Sequence, residues 1–204
     1  ITAWKMNLEL DQFNLFNEYG HSLSRGLELY LHILGQQSSS TLSYTASQTL
    51  QRYLTINSGN YFLANHHQAH HLKFVQKFNF KKWHLNFNFN LIEGRPFSIQ
   101  KGIASFFDEE ENQVYYPVYE ELNSGQLPLY HRLDVSLYYP FELTRTKFEF
   151  SLSLFNIYNK ENIQEIINVV YPPDPAAGVF QPEMAIIKKR MLPFLPFLSF
   201  KMEL

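Results

Sequence analysis

Residues 82–91 read Lys-Trp-His-Leu-Asn-Phe-Asn-Phe-Asn-Leu, and this alternation constrains the fold more than any other feature of the chain. On a strand, period two places Trp83, Leu85, Phe87, Phe89 and Leu91 on one face and His84, Asn86, Asn88 and Asn90 on the other. On a helix the same five apolar groups would encircle the axis and bury no single face. Asn is also a poor helix former. The segment is therefore a strand with one apolar and one polar side.

The pattern recurs along the chain. Leu27, Leu29, Leu31 and Ile33 alternate with Glu28, Tyr30 and His32. Leu42, Tyr44 and Ala46 alternate with Ser43, Thr45 and Ser47. Leu72 and Phe74 lead to Phe78 and Phe80, opposite Lys73, Lys77 and Asn79. Leu133, Val135, Leu137 and Tyr139 oppose Arg132, Asp134 and Ser136, and Phe148, Phe150, Leu152 and Leu154 oppose Glu149, Ser151 and Ser153. Leu198, Phe200, Met202 and Leu204 oppose Ser199, Lys201 and Glu203. With residues 3–10 this predicts about eight strands, each of the length a tilted membrane strand needs. No 20–50-residue period repeats, which excludes a solenoid or propeller.

The connections alternate in length: 11–21, 35–38, 50–65, a tight turn near 80–82, 94–129, 142–145 and 159–192. Up-and-down outer-membrane barrels have short periplasmic turns and long extracellular loops. The expected fold class is thus all-β, an antiparallel up-and-down transmembrane β-barrel segment. A soluble barrel would turn its apolar face inward, and a membrane barrel turns it to lipid. Three features favour lipid. The apolar faces carry almost no charge, the opposite faces are rich in Asn, Ser, Thr and His, and Trp4, Trp83, Tyr138, Tyr139, Phe155 and Tyr158 fall near strand ends, where aromatic girdles form. No stretch approaches the roughly 18 apolar residues of a spanning helix. Cysteine is absent, which excludes a disulfide scaffold and thiolate metal sites, and a net charge of −2 gives no reason to expect nucleic acid. The chain starts at Ile1 and runs at once into an alternating segment, so its start is read as a cut within a longer protein.

Four segments resemble TonB-dependent outer-membrane receptors. Gly125-Gln-Leu-Pro-Leu-Tyr-His-Arg-Leu-Asp-Val-Ser-Leu137 resembles the family's LPxYHRLDLS-type start of a late strand. Ser153-Leu-Phe-Asn-Ile-Tyr-Asn159 resembles its NxYN segment, Leu192-Pro-Phe-Leu-Pro-Phe-Leu-Ser-Phe200 its LPxxPS-type last strand, and Glu93-Gly-Arg-Pro-Phe-Ser98 its SGxPxT segment. The resemblance covers roughly residues 20–204 and implies the last third of a 22-strand barrel, a single partial domain. The family's plug and TonB box lie upstream of such a segment. The family usually ends in an aromatic residue, whereas this chain ends in Leu204. The implied function is uptake of an extracellular nutrient (a siderophore, vitamin or glycan) with TonB-coupled energy. The implied partners are the outer-membrane bilayer, the plug and TonB of the full-length protein, and a surface lipoprotein.

The candidate sites are few. Asn65-His66-His67-Gln68-Ala69-His70-His71 is the one metal-like cluster. Read as strand, it puts His67 and His71 on one face and His66 and His70 on the other, each pair about 13 Å apart, too far for one ion bound at about 2 Å. A bent loop could still gather them, but the expectation is no metal and no cofactor. Asp108–Glu111 reads as a solvated acidic loop without calcium-loop spacing. Tyr53, Tyr61 and Phe62 in one long connection, and Tyr115, Tyr116 and Tyr119 in another, are the candidate ligand contacts. Arg132 and Asp134, two apart on one polar face, are expected to pair within the lumen. No GxSxG, HExxH, P-loop or GxGxxG motif occurs, so catalysis is not expected. Two alternatives remain open: a complete small eight-stranded outer-membrane barrel acting as an adhesin, anchor or narrow pore, and a soluble ligand-binding barrel.

Overall fold

The structure is a computed structural model that describes residues 4–6, 18–144 and 146–203. The strands are β1 (Trp4–Met6), β2 (Glu18–Leu34), β3 (Ser38–Arg52), β4 (Phe62–Leu63), β5 (His70–Asn79), β6 (His84–Ile92), β7 (Pro96–Phe97), β8 (Gln100–Phe107), β9 (Gln113–Tyr119), β10 (Gly125–Gln126), β11 (Tyr130–Leu143), β12 (Thr146–Phe155), β13 (Ile163–Tyr171), β14 (Glu183–Arg190) and β15 (Leu195–Glu203). Single 3-10 turns occur at Asn57–Gly59 and Pro175–Ala177.

Eight strands pair in the order β1-β2-β3-β5-β6-β11-β12-β15, and every neighbouring pair is antiparallel. The chain is thus all-β with an up-and-down main sheet whose strands follow chain order. The path is open: among the described residues β1 and β15 do not pair with each other, and no closed barrel forms. The expected strand at 3–10 is described only over Trp4–Met6; residues 7–10, the connection 11–17 and Leu204 lie outside the described residues.

The observed ends differ from expectation in a consistent direction. β2 already begins at Glu18, β3 continues to Arg52, and β2 and β3 run to 17 and 15 residues, beyond the roughly 9–11 that a tilted strand needs to cross a bilayer. Their polar continuations, such as Thr49-Leu50-Gln51-Arg52, lack the alternation that marks a half-apolar strand, yet they keep ladder partners in β2 and β4. The short turns are tight. Gly35 N–H donates to Ser38 O at 2.7 Å, and Phe80 and Trp83 exchange backbone bonds at 2.8 and 3.2 Å around Lys81-Lys82.

Register fixes the two faces. Paired residues of antiparallel strands point to the same side. One such row runs Leu31, Leu42, Phe74, Phe89, Leu133, and another runs Phe78, Leu85, Leu137, Leu152, Leu198. The opposite face carries Thr45, Lys73, Asn90, Arg132, Ser153 and their neighbours, with Ser136 and Ser153 hydroxyls 2.9 Å apart across β11 and β12. Among the described residues nothing covers the apolar face. Leu27 is 71 % exposed and Leu198 71 % exposed. Among the described residues the buried apolar side chains are Tyr53, Phe62, Ala64, Pro96 and Leu127, all within the long connections. The main sheet contributes no core of its own.

The aromatic girdle also needs correction. Tyr138 and Phe155 sit on the polar face, because each directly adjoins a residue of the apolar row (Tyr139 and Leu154) and successive side chains alternate. Trp83 does reach the apolar side, where its ring lies 4.4 Å from that of Tyr139. The rings that continue this belt are Phe141, Phe148 and Phe200, with centroids 5.1 Å and 5.6 Å apart in succession.

Candidate functional site

The long connections gather at one end of the sheet and form its only packed layer among the described residues. The connection after β3 turns back through β4, and Tyr53 packs on Phe62 at a ring distance of 6.1 Å. Both rings are buried, and Tyr53 also lies against Gly20, so these two candidate ligand contacts hold the loop to the sheet. Tyr61 is exposed, with the Arg52 guanidinium 5.6 Å from its ring centroid. Tyr115, Tyr116 and Tyr119 belong to strand β9, which pairs with β8 in a hairpin within the connection expected as loop at 94–129. Tyr116 packs on Phe106 at 5.8 Å, and Tyr119 lines a cleft. The connection at 159–192 contains a second hairpin, β13–β14.

Side-chain amides lock these pieces together. Asn57 brackets Leu122, accepting from its N–H at 2.7 Å and donating to its carbonyl at 2.9 Å. Asn123 donates to Leu63 O at 2.7 Å. At the tip of β8–β9, Asp108 accepts from the Asn112 and Glu110 backbone N–H groups at 2.8 and 3.0 Å. These bonds, that from Asn112 foremost, hold its carboxyl below the usual carboxylate range. The acidic run at 108–111 is thus a turn-closing device.

The histidine segment is not a strand throughout. Residues 65–69 form a turn closed by His67 N–H to Ala64 O at 2.8 Å, and only His70 and His71 belong to β5. His67 is buried and its Nδ1 accepts from Thr49 N–H at 3.1 Å. His70 Nδ1 lies 2.8 Å from the Tyr44 hydroxyl. His66 is exposed. Among the described residues no three metal-type side chains come together.

Arg132 and Asp134 meet on the polar face at 2.9 Å. The guanidinium also stacks on Phe155, 4.0 Å from the ring centroid, which explains the position of that ring. The second Asp134 oxygen accepts from Asn156 N–H at 2.9 Å, so the pair is tied to the turn that follows β12. Nearby, the Tyr158 hydroxyl sits 2.9 Å from His131 Nδ1, and burial pushes its ionisation upward.

Two clefts open beside these groups, of about 460 Å³ and 400 Å³. They share Arg95, Leu127 and Gln164, so the Glu93-Gly94-Arg95 segment and Leu127 form the wall between them. That wall depends on a glycine. A Cβ on Gly94 would lie 1.8 Å from Leu127 O, while Leu127 N–H donates to Arg95 O at 2.9 Å. Gly94→Ala is expected to force the two backbones apart and cost about 2 kcal/mol or more, read from the midpoint of chemical unfolding. Gly102→Ala, where a Cβ meets nothing within 4 Å, is the comparison and should change little. Equal midpoints for the two variants would refute the close-approach role.

Comparison of the chain with protein-family models, with curated proteins and with solved structures returned no match.

Proposed function

We propose that the chain is a stretch of an outer-membrane β-barrel that serves as a receptor and transporter for an extracellular nutrient. The observation that carries the reading is the uncovered apolar face of the main sheet. Contiguous apolar patches beyond a few hundred Å² are rare on soluble monomers, and here one spans seven paired strands. Its height fits lipid. From His131 to Phe141 on β11 is ten residue steps, roughly 33 Å along the strand and roughly 25 Å after the usual tilt of a barrel strand, which is the height of an outer-membrane apolar band. The Trp83, Tyr139, Phe141, Phe148 and Phe200 rings at the short-turn end suit the interfacial girdle of such a band. The polar face would then line a lumen, and the layered long connections would lie outside the cell.

The four segments that resemble TonB-dependent receptors support the transport half of the proposal. On that reading the chain forms part of a 22-strand barrel, and the plug, TonB and a surface lipoprotein act with the full-length protein. The edges at β1 and β15, unpaired with each other among the described residues, favour a piece of a larger barrel over a closed eight-stranded one.

Fractionation of cells making the full-length protein tests this. The expected result is recovery with the outer membrane, release only by detergent, and a shift in electrophoretic migration on boiling. A monodisperse protein in detergent-free buffer would overturn the reading.

A further inference from the structure

We infer that the 400 Å³ cleft between the polar sheet face and β13 binds a polyhydroxylated monocarboxylate of the sugar-acid type. As a claim about transported cargo, this rests on the receptor reading above; as a claim about binding, it stands by itself.

The first argument is a pair of unsatisfied atoms. Among the described residues, the shielded side-chain polar atoms without a hydrogen-bond partner are His71 Nε2 and Glu93 Oε2. Both residues line this one cleft. They are close in the ladder, since His71 pairs with Ile92, the residue before Glu93. A shielded unpaired polar atom costs free energy, and native structures keep few of them. Each can be satisfied only by something entering the cleft or by a shift of its own side chain. Glu93 Oε1 is already held by Gln126 Nε2 at 2.6 Å, which restricts that shift.

The second argument is what could satisfy both. Glu93 as a carboxylate only accepts, while an imidazole nitrogen donates or accepts according to its tautomer. A hydroxyl serves both, giving its proton to Glu93 and accepting from His71. A bare carboxylate at that end would be repelled by Glu93.

The third argument is charge. Lys73 makes no ion pair or hydrogen bond among the described residues, whereas Arg132 is neutralised by Asp134. Arg95 spends one Nη2 bond on Gln164 O at 3.2 Å. The cleft therefore holds one carboxylate, at Glu93, and two cations without a carboxylate partner among the described residues, Arg95 beside it and Lys73 further along β5. Lys73 lies two residues along β5 from His71 on the same face, roughly 7 Å away. Asn88 and Asn90 lie on the same lining, with one amide bond between them at 3.3 Å. A pyranose ring with hydroxyls at one side and a carboxylate across it matches that spacing. The volume is at the small end of the usual range of about 300–1,000 Å³ for ligand pockets, enough for one or two sugar rings.

The test is calorimetric titration of the full-length protein in detergent with D-galacturonate, D-galactose and acetate, with boiling-sensitive migration checked on the same samples. Galacturonate is expected to bind about 10-fold more tightly than galactose or acetate. Lys73→Met should reduce that preference to within about 2-fold, and Glu93→Gln should weaken both sugars about 10-fold. Lys101→Met, which breaks a pair with Glu120 on the β8–β9 hairpin, should leave both unchanged. Folded samples that bind neither sugar, that bind galactose equally well, or that ignore both substitutions would overturn the inference and leave the barrel reading standing. Selective binding by a protein that folds without detergent would overturn the barrel and keep the site.

Discussion

Arginine in place of Leu137 should cost about 2–4 kcal/mol of folding free energy in a bilayer, while arginine in place of Leu143 should cost about 0–1 kcal/mol. The two positions differ in depth, not in side chain. Leu137 sits in the row Leu85, Leu137, Leu152, Leu198, between the His131 end of β11 and the aromatic belt at Tyr139 and Phe141. Leu143 is the last residue of β11, beyond that belt, and is 67 % exposed. A guanidinium at mid-depth must be desolvated or must drag water and headgroups inward. Near the interface it reaches them by extending its stem. The measurement is reversible urea titration of the full-length protein refolded into lipid vesicles. Equal costs at both depths would refute a lipid-facing sheet, because a protein partner covering the whole face would impose no gradient with distance from the belt.

The main sheet was legible from sequence because its physics is simple. Each strand must present one apolar and one polar side, so period two survives in Leu27–Ile33, in 82–91 and in Leu133–Tyr139, and the expected strands lie in the sheet in chain order, the first of them described only over Trp4–Met6. The i, i+2 spacing of Arg132 and Asp134 likewise placed them on one face, where they are 2.9 Å apart. The hairpins β8–β9 and β13–β14 were not legible. Their apolar residues run consecutively, as in Ile166-Ile167 and Val169-Val170, and Pro117 interrupts β9, so neither face is marked. Val114, Tyr115, Tyr116, Val118 and Tyr119 were the available signal, a run rich in strand-favouring types. The cleft was harder still. His71 and Glu93 are neighbours only through the β5–β6 register, and Lys73, Asn90 and Arg132 line up only once β11 is placed beside β6. Register across long connections leaves no local trace in the chain.

Asn156→Ala is the second substitution with a large expected effect, about 3–4 kcal/mol of destabilisation. Asn156 is fully buried and adopts φ 52, a left-handed conformation that alanine tolerates poorly. Its side chain holds three backbone groups. It accepts from Lys160 N–H at 3.0 Å, donates to Lys160 O at 3.0 Å, and reaches Leu192 O at 3.4 Å. Its own N–H is the donor to Asp134. The residue therefore ties the end of β12 to the approach of β15 and to the Arg132–Asp134 pair, and Asn159 extends the link by accepting from Phe194 N–H at 2.9 Å. Alanine leaves those buried groups unpaired and adds backbone strain. Asn156→Gly removes the strain alone and should recover about 1 kcal/mol of the loss. Asn156→Asp keeps the acceptor for Lys160 N–H but turns the donor into a second acceptor facing two carbonyls, so it should be at least as damaging as alanine. Unfolding midpoints of the three variants, with amide exchange followed at Lys160, give the comparison. A glycine variant no more stable than the alanine variant would remove the conformational part of the argument, and retained protection at Lys160 in the alanine variant would remove the hydrogen-bond part.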